Sequence, residues 1–177
     1  MSEILELGVH GLGGCCGTTP EYIKATVNAT KDRAVKPIVK KDYTVVSSYT
    51  HAVLFDKKPV IVGERINPTG KPKLKQALRE NELDYILSEA VLQQQNGAHV
   101  LDINVGLPEI DEVKMLKDVL CSVQAVSDLP IQLDSSNASA LEQAMRVCNG
   151  KPMINSVNGK QSSMDAVFPL VKKYGGV

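Results

Sequence analysis

"HVLDINVG", residues 99–106, decides the fold. A short apolar run (Val100, Leu101, Ile103) carries an aspartate inside it, then ends in Asn104 and a glycine. It reads as a buried strand that delivers polar groups at its C-terminal end. The flanking chain repeats the plan. "EIDEVKMLKDVLCSVQAVSD" (109–128) is predicted helical, with Val113, Leu116, Val119, Leu120 and Val123 on one face. "LPIQLDSS" (129–136) is a strand, "NASALEQAMRVCNG" (137–150) a helix, "KPMINSVNG" (151–159) a strand, and "SSMDAVFPLVKKYGG" (162–176) a helix. Val177 would open another strand. Upstream, "PVIVGERIN" (59–67) is a strand, and "KPKLKQALRENELDYILSEAVLQQQNGA" (71–98) is predicted as one helix stopped by Gly97. This alternation predicts an α/β fold with a parallel sheet, the first four βα units of a TIM (β/α)8 barrel.

Polar residues fall at the strand ends. Glu64, Arg65 and Asn67 follow "VIVG"; Asp102 and Asn104 lie in "VLDIN"; Asp134 and Ser135 in "IQLDSS"; Asn155 and Ser156 in "MINS". In barrels and open α/β sheets alike, ligands bind beyond the C-terminal ends of the strands. Ser136 or Asn137 alone would be an ordinary helix cap, but a series of strands ending in carboxylates and carboxamides predicts a ligand site. Asp134 and Asn155, on neighbouring strands, would present an acceptor and a mixed donor–acceptor to one planar ring. A pterin, with its amino and amide edge, suits such a pair. Asp102 and Asn104 would do likewise or hold the loop after their strand. Arg65 is as suited to a neighbouring carboxylate as to a ligand, and Lys71 and Lys73 read as solvated.

The opening of the chain differs. "EILELGVHGLGG" (3–14) reads as a strand running into a glycine loop. "TTPEYIKATVNATK" (18–31) reads as a helix, with Thr19 as N-cap before Pro20, or Thr18 and Glu21 as a capping box. This looks like the last βα unit of another barrel. Residues 34–58 show no helical period and read as a linker with short extended pieces near 44–46 and 52–55. The expected domains are 1–33, 34–58 and 59–177, with domains cut at both ends.

Composition narrows the function. Lys+Arg and Asp+Glu number 20 each, so the formal net charge is zero and nothing favours nucleic acid or an anionic membrane. No apolar run would span a bilayer and no secretory signal is evident, which predicts a cytoplasmic protein. In a reducing compartment the 4 cysteines serve as metal ligands or buried residues rather than disulfides. Cys121 and Cys148 read as core. Cys15 and Cys16, in "GLGGCCG" (11–17), fit neither a G-x-G-x-x-G loop nor a C-x-x-C redox pair. They offer two thiolates to a zinc ion or are small buried residues, with His10 nearby in sequence.

"GGCCGTTPEYI" (13–23) resembles the zinc-cysteine loop that ends the homocysteine-binding barrel in the family of cobalamin-dependent methionine synthases. "VIVGERINPTGK", "GAHVLDINVG", "IQLDSSN" and "MINSVNG" resemble the opening of the folate, or pterin-binding, barrel of that family and of related methyltetrahydrofolate methyltransferases. The resemblance covers nearly the whole chain. It implies a fragment spanning the end of the homocysteine domain and the first half of the pterin-binding domain. It also implies methyl transfer from 5-methyltetrahydrofolate to homocysteine via cobalamin carried on another module. Cys15 and Cys16 match two of three zinc thiolates, Asp134 and Asn155 match pterin-binding residues, and Glu64, Asn67, Asp102 and Asn104 match the polar floor of that site. The third zinc cysteine, the second half of the folate barrel and a D-x-H-x-x-G cobalamin motif are not in this sequence. The alternatives are a methyltetrahydrofolate:corrinoid protein methyltransferase, in which "GGCCGTTPEYI" has no place, and a non-catalytic fragment. Such a fragment would bind folate weakly or only with a complementary chain, or self-associate through open barrel edges. Dihydropteroate synthase shares the pterin-barrel plan but differs at "GERIN" and "DINVG".

Overall fold

The computed structural model describes residues 1–39, 42–56 and 58–177. It divides into two compact units, Met1–Asp42 and Tyr43–Val177.

The first unit holds helices α1 (Ser2–Glu6) and α2 (Pro20–Thr30). The strand expected at the start of the chain is instead α1. A strand needs a neighbour to take its hydrogen bonds, and among the described residues of this unit there is no strand. The segment satisfies itself locally, through Leu7 N to Ile4 O at 3.2 Å and Gly8 N to Leu5 O at 2.9 Å. Helix α2 begins as expected, with Thr19 at the N-cap and Pro20 in the first turn. The Thr19 hydroxyl, however, donates to the Glu21 carboxylate rather than capping a backbone N–H.

The second unit opens with an antiparallel hairpin, β1 (Thr44–Ser47) and β2 (Ala52–Phe55), at the extended pieces read from the sequence. Val46 is fully buried. Ser47 and Lys151 exchange backbone hydrogen bonds at 3.0 and 2.9 Å, which ties the hairpin to the approach to the last strand.

The remaining chain alternates as predicted. Strands β3 (Val62–Ile66), β4 (Val100–Ile103), β5 (Ile131–Asp134) and β6 (Met153–Asn155) form one parallel sheet in that order. Helices α4 (Leu83–Gln95), α5 (Glu112–Val126), α6 (Ala138–Val147) and α7 (Gln161–Tyr174) cover it, each against the next. The fold is the partial (β/α)8 barrel expected. The core lies between sheet and helices, where Leu101, Ile103, Leu133, Leu116, Leu120 and Leu141 are fully buried. Along β5, Ile131 and Leu133 are buried while Gln132 and Asp134 are half-buried on the other face, so the period of two separates helix-facing from inner-facing side chains. Val177 lies beside β6, with Ile154 N to Val177 O at 2.8 Å and Val177 N to Pro152 O at 3.0 Å.

Two expectations are corrected. The single helix over 71–98 is two, α3 (Pro72–Glu80) and α4, parted at Asn81, whose φ is 55°. Asparagine accepts this left-handed conformation more readily than most residues, and Glu82 N returns to Ala77 O at 2.8 Å to close the end of α3. Cys121 is exposed on α5 rather than in the core, because the apolar stripe of that helix buries Leu116, Val119, Leu120 and Val123. Cys148, at the end of α6, is half-buried. Among the described residues no helix is long and apolar enough to cross a membrane.

Candidate functional site

Residues of all four strands, Val62, Glu64, Asp102, Gln132, Asp134 and Asn155, line a cavity of 280 Å³. Sheet register brings them together. Asp134 pairs with Asn155 across β5 and β6, and Asp102 pairs with Gln132 across β4 and β5. Side chains of register partners stand on the same face, so two carboxylates and two carboxamides meet there.

Their hydrogen bonds set their orientation. Asn104 donates from Nδ2 to Asp134 Oδ2 at 2.9 Å, and its Oδ1 accepts from Gly106 N at 2.8 Å. Asn104 therefore both holds the loop after β4 and fixes the Asp134 carboxylate. Asn67, buried, donates to Glu64 Oε1 at 3.1 Å and accepts from Thr69 N at 3.0 Å. It stands behind Glu64 rather than in the cavity wall. Lys71, read from sequence as solvated, donates to the carbonyls of Glu64 and Asn67 at 2.9 and 3.2 Å. Lys73 is not a free cation either: its Nζ sits 4.4 Å from the Tyr85 ring centroid. Arg65 pairs with Glu89, Nε to Oε2 at 3.6 Å. Gly63 leaves room for Gln93, whose Oε1 accepts from Arg65 N at 2.7 Å; a Cβ at Gly63 would stand 2.6 Å from that oxygen.

Asp102 is the buried charge of the site, at 1% exposure. Gln132 donates to its Oδ1, while Oδ2 is buried without a partner among the described residues. Burial pushes the Asp102 carboxyl up to about 6; the Gln132 hydrogen bond opposes this, the charges of Asp134 and Glu64 add to it, and Lys71 works against it. Ser135 donates to Glu112 and accepts from Asn137 N, and Asn137 caps α6 by accepting from Ser139 N and Ala140 N. These strand-end residues organise the loop and the helix start.

Gln132 and Val62 were not among the expected site residues. The signal was present: Gln132 lies two residues before Asp134, hence on the same face of the strand.

Cys15 and Cys16 belong to the first unit. Both are exposed, with their sulfurs 3.7 Å apart. Hydrogen bonds from the Cys16 backbone and then its thiol hold the Cys15 thiol below the usual thiol range. Gly14 is required beside them because the Thr18 side chain occupies the place of a Cβ, and Thr18 Oγ1 accepts from Cys15 N at 3.0 Å. A zinc ion held by a protein needs three or four such donors. Among the described residues no third His, Cys, Asp or Glu joins the pair in a cluster that would hold a metal, and His10 is bonded to the Lys36 carbonyl at 2.8 Å.

Comparison with known proteins sets this geometry in a family. Residues 63–176 match the model of the pterin binding enzymes. The chain is 32% identical over 180 residues to the methionine synthase of Mycobacterium tuberculosis (strain ATCC 25618 / H37Rv), covering 97% of this chain and 15% of that protein. It is 34% identical over 185 residues to the methionine synthase of Mycobacterium leprae (strain TN), with the same coverage of 97% and 15%. The chain thus spans about 15% of the length of the curated relatives it matches. Among solved structures, a dihydropteroate synthase of Thermus thermophilus aligns with a TM-score of 0.45 and 16% identity, over 75% of this chain and 47% of that one. With the family model matched from the second residue of β3 to the glycines after α7, the chain belongs to the pterin binding enzymes.

Proposed function

We propose that Glu64, Asp102, Asn104, Asp134 and Asn155, with Asn67 behind Glu64, bind the pterin ring of 5-methyltetrahydrofolate. In this reading the chain supplies part of the folate site of a cytoplasmic methyltransferase that passes the methyl group to homocysteine through cobalamin. The observation that carries the reading is the register pairing of Asp134 with Asn155, both of which line the cavity. A carboxylate accepts from the amino and ring N–H groups of a pterin, and a carboxamide both accepts and donates along the same edge. The family match supports the pterin, and the likeness to methionine synthases supports methyl transfer. We assign to the chain residues 1–33 as the end of a homocysteine domain, 34–58 as linker and 59–177 as the first half of a folate domain. Cys15 and Cys16 would then give two thiols to a zinc site completed by another segment.

The test is equilibrium binding of 5-methyltetrahydrofolate to the purified chain, with Asp134→Ala and Asn155→Ala alongside. Loss of binding in each variant is expected. Unchanged binding in both would remove the assignment.

A second reading has its own observation. Val177 already lies along β6 through hydrogen bonds to Pro152 and Ile154, which supports a sheet that takes up further strands from a complementary chain or a second copy. That reading expects no folate binding by the chain alone and association at micromolar concentration. A monomer in sedimentation would count against it.

A further inference from the structure

The inner face of the sheet is arranged in tiers. In the lower tier Asp102 pairs with Gln132, and Gln132 with Met153; one step toward the C-terminal ends, Asp134 pairs with Asn155. Barrel interiors at strand level are ordinarily filled by branched apolar residues. Here the lower tier carries a buried acid and an amide. The amide of Gln132 engages only one oxygen of Asp102; the other is buried with no partner among the described residues. A buried carboxylate in this state is costly unless a further donor meets it. Both residues line the cavity, so a ligand there can bring that donor.

We infer that Gln132 is a positioning residue of the ligand site: its side-chain amide holds Asp102 by Oδ1 so that Oδ2 is kept for an N–H group of the bound ligand. This rests on the pterin reading, in which the N–H belongs to the pterin ring. A leucine at 132 would fill the tier as other barrels do. The amide is what a purely apolar tier does not need.

The groups facing Asp102 are Glu64 from β3, Gln132 and Asp134 from β5, and Lys71 from the loop before α3. Only the ionised acid accepts from an N–H donor through both oxygens, so affinity falls as the pH drops through the Asp102 titration. Gln132 stabilises the ionised form, and without it the acid holds its proton to higher pH.

The experiment measures 5-methyltetrahydrofolate binding to the 177-residue chain between pH 5 and 8, with Gln132→Leu and Gln132→Glu, and the Asp102 carboxyl carbon by NMR in the ligand-free proteins. The expected result for Gln132→Leu is about tenfold weaker binding at pH 6.5, with the midpoint of the pH profile raised by about one unit. Gln132→Glu, which sets a second acid against Asp102, moves the midpoint further in the same direction. Unchanged affinity and midpoint in both variants overturn the inference. If the unaltered chain binds no folate, the pterin reading fails for it, and the NMR titration decides the positioning role. A raised Asp102 midpoint in Gln132→Leu upholds that role, and an unmoved one overturns it.

Discussion

Asn104, at the end of β4, donates to the Asp134 carboxylate at the end of β5 across 2.9 Å. Two side chains thirty residues apart in sequence thus form one unit, and the acid meets any ligand already oriented. Asn104→Ala and Asp134→Ala are each expected to weaken 5-methyltetrahydrofolate binding by about tenfold or more. The double variant should lose less than the two losses combined, by about 1 kcal/mol. Calorimetric titration of the four proteins checks this; strictly additive losses would mean that the two residues act separately.

Asp102 makes stability depend on pH with a definite sign. Its folded carboxyl, raised to about 6, holds a proton more tightly than the unfolded one, so between about pH 4 and 6 the folded state binds more protons. Stability contributed by this group therefore falls as pH rises through that window, and levels off above it. The full shift from 3.8 to about 6 corresponds to about 3 kcal/mol. Asp102→Asn is expected to be more stable than the unaltered chain at pH 8 by about 1–3 kcal/mol, with the difference closing toward pH 4. Urea unfolding at several pH values measures it, and a gap independent of pH would contradict it.

The left-handed break between α3 and α4 rests on Asn81. Asn81→Gly is expected to keep the unfolding free energy within about 0.5 kcal/mol, whereas Asn81→Val should lose about 1–2 kcal/mol. Equal stabilities for Gly and Val at this position would show that the break is held by something other than backbone conformation.

The thiols should separate by reactivity. Burial pushes the Cys148 thiol up to about 12, while Cys15 is exposed and its pKa is lowered. Under iodoacetamide at pH 7.5, Cys15 is expected to react ahead of Cys148 by at least about tenfold, read by peptide mass mapping. Zinc bound by the chain is expected to be weak and substoichiometric, because two thiols do not fill its coordination. Tight one-to-one zinc would reveal a further ligand.

The sheet was legible because each strand is a short apolar run and each crossover helix carries an apolar stripe, patterns the core enforces directly. The acids and amides were legible for the same reason: once the strands are placed, Asp134 and Asn155 share one end of the sheet, and Asp102 lies one tier below them. Asn67 differs from these, because a residue beyond its strand turns back to brace Glu64. The opening residues misled because an apolar run does not say whether a partner strand exists, and without one α1 forms. Asn81 was hidden inside a strong helical period, where one left-handed residue leaves no trace in hydrophobic spacing. Gln132 sits one tier below the strand ends, where the run of terminal polar residues gives no sign of it, although alternation along β5 puts it on the face of Asp134.

The clasp between Ser47 and Lys151 has a consequence in time. Its partners lie 104 residues apart, so at about 5–20 residues per second the ribosome finishes the hairpin roughly 5–20 s before Lys151 exists. For that interval the backbone of Ser47 has no Lys151 to bond. The hairpin is therefore a late arrival to a structure it precedes in synthesis, and its docking reports that the last strand is in place.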